Sequence, residues 1–390
     1  MPAPEAGPAP DQQELLERVE MLELQLDAVT SDMDTMRHGS TLVPPVIGSE
    51  FGLGPSASKI YQQEAGDFSI GGYGEFRLED PAGDSAIENA DAQRVILYFG
   101  QRFNDKWLLN SELEFEHGST AGDGSVSVEF AYIDYMASQA LSLRGGVVLI
   151  PMGFINELHE PNTFLPVARP ETEKRIIPST WRENGVGIYG ESSGFSYRAY
   201  VVNGLDGEDF SSNGLRGGRQ RASEAKAEDV AFTGRIDYVD VPGLTLGASL
   251  YHGDSAQDLE NVEGLTTTIY DVHAEYQAAG WQLRGLFAGA SLDGTDEFNA
   301  QTGEELSSGL DGWYLEAGYD LFADVFPVSG QSLSPYVRYE SIDTGPGNQE
   351  ITTIGLNYKP INEVVFKLDY QDWAEGDGND ALNFLIGYVF

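Results

Sequence analysis

From residue 67 onward, apolar and polar residues alternate with a period of two. The segment WLLNSELEFE at 107–116 places Trp107, Leu109, Leu113 and Phe115 on one face and asparagine and glutamate residues on the other. Successive side chains of a β-strand point to opposite faces, so this pattern predicts strands with one apolar and one polar surface. About sixteen such segments of about 9–12 residues predict an all-β protein, and strands of this length cross a bilayer core when tilted.

The connections between these segments alternate between tight turns and longer, acidic stretches. An even number of antiparallel strands with short turns at one end and long loops at the other is typical of transmembrane barrels. Residues 67–390 are therefore predicted to form an antiparallel transmembrane β-barrel of about 16 strands. Among the connections at the short-turn end, only the one near 322–332 is longer than expected. The long connections lie near 80–90, 118–124, 151–183, 204–228, 254–264, 293–310, 343–350 and 372–380.

Before the barrel, the period changes. Residues 1–11 are rich in proline and alanine and are predicted to be disordered, and residues 38–66 are predicted to be a linker. Between them, 12–37 predicts an α-helical coiled-coil segment that associates with partner helices. A single amphipathic helix lying on a neighbour is the alternative, and the seam does not separate a dimer from a trimer. The seam residues are Leu15, Val19, Leu22, Leu26, Val29, Met33 and Met36.

The longest connection, 151–183, has a composition of its own. It contains Met152, Phe154, Ile176 and Trp181 among other apolar residues, which is too much apolar surface for a solvated loop. Loops of this length without a period are usually functional or disordered. The apolar content favours a loop that is folded into the molecule.

The overall composition narrows the class of partner. The chain has 22 basic and 63 acidic residues, a net charge of -41, which argues against nucleic-acid binding. The acidic loops either solubilise the protein or concentrate cations at a pore mouth. Absence of cysteine removes disulfides and thiolate metal sites. The start, MPAPEAGPAP, has neither a basic region nor an apolar core, so no signal peptide is expected in this sequence.

The last strand has an apolar face that ends on the terminal residue. Leu382, Phe384, Ile386, Tyr388 and Phe390 share this face. The arrangement resembles the C-terminal signal of bacterial outer-membrane proteins, which the barrel-assembly machinery reads. Tyr388 and Phe390 are the residues that match it.

Residues 67–390 resemble the trimeric bacterial outer-membrane porins, most nearly the phosphate-selective porin superfamily. The motifs that carry the resemblance are GGYGEFRLE at 71–79, INELHEP at 155–161, IIPSTWRENGVGIYG at 176–190 and IGYVF at 386–390. The resemblance implies a homotrimer of water-filled barrels in outer-membrane lipid, with the N-terminal helix in the periplasm and the third external loop folded inward. It implies passive diffusion of small hydrophilic solutes or ions. Phosphate is discounted as the specific substrate. Phosphate-selective members line the pore with a cluster of lysines, whereas this chain has only six lysines in its whole length.

Two sets of charged residues are predicted to line the pore, one at the constriction and one, from the alternation, on the inner wall. The wall arginines either pair with inward carboxylates and brace the wall, or form a basic flank that faces acidic loop residues across a constriction. The residues expected at the constriction are Glu157, Glu160, Arg169, Glu171, Glu173, Lys174, Arg175 and Arg182. Those expected on the inner wall are Arg77, Arg94, Arg102, Arg144, Arg198, Arg235, Arg284, Arg338 and Lys367.

Catalysis and cofactors have little support in the sequence. None of the five histidines has a metal-ligand spacing, and His273 between Asp271 and Glu275 is interpreted as a polar cluster of the wall. No cofactor is expected, although the acidic runs DGTDEF at 293–298 and EGDGND at 375–380 are weak candidates for Ca²⁺. Two alternatives to a porin remain open, an outer-membrane barrel enzyme and an envelope-tethering protein that acts through its coiled coil.

Overall fold

The structure is a computed structural model that describes residues 51–82, 88–122, 124–260, 262, 264–323, 330–374 and 380–390. Sixteen antiparallel strands form one closed sheet, in which each strand pairs with its neighbours in the chain and β1 pairs with β16. The strands are β1 Phe68–Pro81, β2 Asn89–Arg102, β3 Trp107–Glu116, β4 Ser125–Ser138, β5 Leu141–Leu149, β6 Arg182–Ser192, β7 Phe195–Asn203, β8 Val230–Tyr238, β9 Leu244–Asp254, β10 Thr266–Ala278, β11 Trp281–Asp293, β12 Gly309–Tyr319, β13 Ser332–Asp343, β14 Asn348–Ile361, β15 Val364–Trp373 and β16 Ala381–Val389.

The predicted closed antiparallel barrel of sixteen strands is confirmed. Closure joins the two ends of the chain's sheet, where Tyr73 lies opposite Val389 and the backbone of Gly72 exchanges hydrogen bonds with Phe390 at 3.1 and 2.9 Å. Two short helices lie in the long connections, α1 Thr172–Arg175 and α2 Thr295–Thr302. In the described ranges, no helix is long and apolar enough to cross a membrane. The predicted disordered start, coiled-coil helix and seam fall within 1–50, outside the described residues.

The outer face of the barrel is an apolar band. Its side chains are exposed, as at Val272 (54%) and Leu315 (62%), because alternation directs the polar side chains inward. Aromatic pairs stand at the rim with the tight turns, where ring centroids are 4.8–5.3 Å apart. An apolar band with an aromatic girdle is the surface that outer-membrane barrels present to lipid. The rim pairs are Trp107–Tyr135, Phe195–Tyr238 and Trp281–Tyr319.

The connection from β5 to β6, residues 150–181, folds into the barrel and is called the inward loop below. The backbone N–H of Gly153 donates to Asp271 at 3.1 Å, and that of Val167 donates to Asp369 at 2.7 Å. The guanidinium of Arg338 donates to the carbonyl of Ala168 at 3.0 Å. These wall residues belong to β10, β15 and β13, so the loop contacts the far side of the lumen. Its apolar side chains are fully buried at Met152, Ile176, Ile177 and Trp181.

Residues 51–66, called the strap below, also lie inside the barrel, whereas the sequence predicts a linker over 38–66. They form a 3-10 turn, Lys59–Gln62, and bury Leu53, Ile60 and Tyr61 against the wall. The glycine, serine and proline residues that suggest a linker lie between these apolar anchors. A segment this short carries too few apolar residues to show a period, so alternation does not reveal it.

A positive charge in the middle of the outer band is expected to destabilise the barrel in lipid. Val272 lies at the centre of β10 and faces outward. Val272→Arg should cost about 2–4 kcal/mol of folding free energy in bilayers, because arginine at the bilayer midplane loses its hydration. Denaturant titration of protein folded into lipid vesicles measures this cost. Gln301→Arg, on the exposed end of α2, adds the same charge and should leave stability unchanged; equal stability of the two variants would contradict a lipid-facing band.

Candidate functional site

The inward loop is held in place by three buried carboxylates. Glu157 accepts from Arg198 of β7 at 2.9 Å. Glu173 accepts from the N–H groups of Phe154 and Ile155 at 2.6 and 2.8 Å and from the hydroxyl of Tyr314, on β12, at 2.6 Å. Glu160 accepts from two backbone N–H groups of the strap, at 2.9 and 3.0 Å. The loop is therefore fixed to itself, to the wall and to the strap.

A second group of charges lines one side of the lumen and is called the charged cluster below. Its acids are buried glutamates on the walls of β3 and β4, Glu112, Glu114 and Glu129. Glu129 occupies a β-bulge, since Glu112 pairs with Phe130 and the next residue, Leu113, pairs with Val128. A bulge re-aims a side chain by inserting one residue into the strand. It buries Glu129 beside Phe130, where strict alternation would point one of the two outward.

The bases of the charged cluster come from β2, the inward loop, the start of β6 and the loop 204–229. Arg94 lies 3.0 Å from Glu75 and 3.9 Å from Glu114, and Arg182 lies 2.5 Å from Glu129. The other bases, Arg169, Arg216 and Arg219, take part in none of the ion pairs among the described residues. Together the cluster consists of Glu112, Glu114, Glu129, Arg94, Arg169, Arg182, Arg216 and Arg219.

The two cluster arginines of loop 204–229 are held by neutral oxygen atoms. Arg216 donates to Thr180 Oγ1 at 2.9 Å and to the carbonyl of Ser179. Arg219 donates to the carbonyls of Ser179 and Thr180, both at 2.8 Å. Burial, together with the neighbouring Arg216 and Arg221, lowers the pKa of Arg219. Guanidinium groups in proteins stay charged at neutral pH, so the pair adds positive charge that no carboxylate neutralises.

The eight residues predicted for the constriction separate into three groups. Arg169 and Arg182 belong to the charged cluster, whereas Glu157, Glu160 and Glu173 brace the loop as described above. The remaining three lie toward the long-loop end: Lys174 pairs with Glu171 at 2.8 Å, and Arg175 donates to Asn213 at 3.0 Å. Only two of the eight predicted residues, Arg169 and Arg182, thus belong to the charged cluster.

The predicted wall cations are mostly paired with acids or with buried carbonyls. Arg144 contacts Asp134 at 2.9 Å, Arg284 contacts Glu275 and Arg338 contacts Glu340. Lys367 donates to the carbonyl of Pro166 at 2.9 Å. These contacts match the bracing interpretation of the wall. The others are Arg77 with Glu79, Arg94 with Glu75, Arg102 with the carbonyl of Tyr61, Arg198 with Glu157, and Arg235 with Asp237.

Sequence reasoning missed Arg216, Arg219 and Glu129. The run NGLRGGRQR at 213–221 places three arginines within six residues of a strongly acidic chain, and this was the available signal for the first two. Glu129 carried no signal, because a bulge interrupts the alternation from which inward positions are inferred.

The arrangement around His273 does not resemble a hydrolase site. His273 Nδ1 lies 2.6 Å from Asp271, and Nε2 lies 2.8 Å from Asp237. Ser249 donates to Asp271 rather than to the histidine, and the ring of Phe154 covers the imidazole at 4.9 Å. A nucleophile must lie within hydrogen-bond reach of its base. Across the part of the chain that is described, no group of three or more potential metal ligands is present.

One relative shares much of the sequence. The chain is 38% identical to a protein of Aquifex aeolicus (strain VF5), described as uncharacterized, over an alignment of 372 residues. The alignment covers 87% of this chain and 83% of the Aquifex protein. The chain belongs to the same family as this Aquifex protein. No family model matches.

Solved structures with the same fold are outer-membrane porins. Salmonella typhi OmpF, in complex with daunomycin, superposes with a TM-score of 0.58 at 14% identity, over 84% of this chain and 98% of that one. The anion-selective porin of Comamonas acidovorans gives 0.55 at 13% identity, over 83% and 99%. The channel DcaP of Acinetobacter baumannii gives 0.53 at 13%, over 84% and 98%. At this identity the likeness shows the fold, a porin-type barrel.

Stability is expected to fall with rising pH through Glu160. Burial raises the pKa of Glu160 to about 8, well above the ordinary glutamate value of about 4.3, against the lowering effect of the two strap N–H groups. Between these values the folded state binds a proton that the unfolded state releases, so stability declines as pH rises through this window, by on the order of a few kcal/mol.

Thermal unfolding in detergent at pH 5 and pH 9, followed by circular dichroism, measures this dependence. Glu160→Gln, a neutral isostere, should lose less stability on going to pH 9 than the native chain. Glu64→Gln, at an exposed strap position, should keep the native dependence. An identical pH response of the native chain and Glu160→Gln would exclude Glu160 as the source.

Proposed function

We propose that the protein is an outer-membrane channel for passive diffusion of small hydrophilic solutes or ions, with the charged cluster at its narrowest section. The observation that carries the proposal is the charged cluster inside a barrel of porin fold. Acids stand on the β3–β4 wall, and bases stand on β2, at the start of β6 and on the two loops. Such opposed charges create a transverse field that orients polar solutes and disfavours apolar ones.

The buried polar atoms of the cluster support a hydrated path. Arg169 Nη2, Arg182 Nε and Glu112 Oε2 are buried and have no hydrogen-bond partner in the protein. A buried polar atom without a partner costs about 1–3 kcal/mol. Water or a polar solute moving through the cluster would satisfy these atoms, whereas a dry core would leave the cost unmet.

The charged cluster suggests a polarity opposite to one of the two arrangements that the sequence left open. In that arrangement a basic wall faces acidic loop residues, and in the other the wall cations pair with inward carboxylates. Here the wall supplies the acids, and loop residues Arg169, Arg216 and Arg219 supply bases without ion-pair partners. We therefore propose that the narrow section favours anionic solutes over cations, despite the chain's net charge of -41.

The remaining elements of the proposal follow from the same fold. The apolar band supports a position in outer-membrane lipid, and the proposal assigns Tyr388 and Phe390, at the end of the chain, to the signal that the barrel-assembly machinery reads. The homotrimer and a periplasmic coiled coil belong to the proposal through the resemblance to porins. A channel, rather than an enzyme, fits an interior in which His273 contacts two carboxylates and His159 contacts Glu112.

Removal of Arg216 and Arg219, the two cluster arginines of loop 204–229, is expected to shift selectivity toward cations. Two unit charges about 4 Å apart interact by about 1 kcal/mol in water, equivalent to about a fivefold change in relative permeability. Arg216→Gln combined with Arg219→Gln should therefore raise the cation-to-anion permeability ratio about fivefold. Reversal potentials of open channels in planar bilayers under a salt gradient measure this ratio.

Lys174→Gln combined with Arg175→Gln is the matched control, because it removes two positive charges of the inward loop that do not belong to the charged cluster. This control should change the ratio much less. If the two double variants shift the reversal potential equally, the charged cluster does not set selectivity.

A further inference from the structure

We infer that the strap, residues 51–66, is a removable plug that closes the tight-turn end of the lumen against the inward loop. The inference rests on the proposed channel function and concerns its regulation. It is drawn from the position of the strap, the depth of its burial and the way in which it meets the loop.

The strap lies against the inner wall of the barrel, toward the tight-turn end. At its start, the ring of Phe51 packs edge-on against Tyr189 of β6, with centroids 5.0 Å apart. In its middle, the amide of Asn110, on β3, donates to the carbonyl of Ala57 at 2.8 Å. At its end, Arg102 of β2 donates to the carbonyl of Tyr61 at 2.9 Å. The strap therefore runs along the inner wall from β6 to β2.

The inward loop covers the opposite half of the wall, and the two segments meet. Glu160, near the deepest part of the loop, accepts from the N–H groups of Ser56 and Ala57. A Cβ atom added to Gly54 would stand 2.5 Å from the carboxyl carbon of Glu160, so backbone and side chain are in direct contact. Strap and loop therefore meet inside the lumen at this level.

The strap is held by buried apolar side chains and by hydrogen bonds to polar groups of the wall. Tyr61 donates to Asp134 at 2.7 Å and accepts from Arg144 at 2.6 Å. Asp134 and Arg144 also pair with each other through two bonds of 2.9 Å, so they remain paired when Tyr61 leaves. Displacement of the strap would therefore leave this ion pair of the wall intact, and the bonds from the strap to Glu160 are the ones that must break.

One contact allows the strap to be locked to the wall. Ile60 is 1% exposed, and its Cβ lies 2.6 Å from the position that a Cβ on residue 100 would take, in a gap that Gly100 leaves open. A disulfide needs about 3.5–4.5 Å between Cβ atoms, which a shift of about 1 Å provides. The native chain has no cysteine, so an engineered pair would form the single disulfide.

The test uses the full chain carrying Ile60→Cys and Gly100→Cys, recorded in planar bilayers while oxidised and again after reduction. The expected result is loss of conductance in the oxidised protein and its return on reduction, since reduction frees a strap that has lost its Ile60 anchor. The single variants, which cannot form the disulfide, should conduct equally before and after oxidation. Leu53→Ser with Tyr61→Ser should conduct more than the native chain, and exposed Glu64→Ser should not.

The outcomes separate the plug from the channel. Equal conductance of the oxidised and reduced double-cysteine protein, with the disulfide verified by mass spectrometry, would overturn the plug and leave the channel standing. Absence of conductance in both redox states and in Leu53→Ser with Tyr61→Ser, while circular dichroism shows an intact barrel, would overturn the channel, and the plug with it.

Discussion

The pairing of β1 with β16 is the constraint on which the rest of the structure depends. With this pair formed, every strand has two neighbours, so no strand edge is left open to lipid or to another chain. Closure also divides the side chains into an outer set and an enclosed set. Gly72, Phe390 and the residues around them thus create the interior that all other features occupy.

An enclosed interior lined by polar side chains must pair its charges or hydrate them. Along β10 to β15 the first solution dominates, because wall arginines such as Arg284 and Arg338 meet carboxylates and loop carbonyls. Buried pairs of this kind stabilise little in themselves, but removing one partner leaves an uncompensated charge. On the β2–β4 side, the charged cluster contains bases without ion-pair partners. One half of the lumen therefore has paired charges and the other half has an excess of positive charge on the loops.

The inward loop and the strap divide the filling of the lumen between them. The loop uses carboxylates to hold its own backbone, as Glu173 does with two N–H groups and Tyr314. The strap uses buried apolar anchors and hydrogen bonds to the wall and to Glu160 of the loop. In the proposed channel, the loop is the fixed part of the filling and the strap is the segment that can leave.

Period-two alternation, with short turns alternating with long connections, determined the strand number, the antiparallel order and the inward and outward faces, and the apolar content of 151–183 indicated that the long loop folds inward. Those properties are local, because each strand repeats the same rule and adjacent strands connect through short turns. The partners across the lumen were decided by tertiary structure alone. Glu157 and Glu173 became braces because closure brings them to Arg198 and Tyr314, and Glu129 was directed by a bulge. Arg216, Arg219 and the strap reached the lumen through contacts between residues that are distant in sequence, and no local period encodes such contacts.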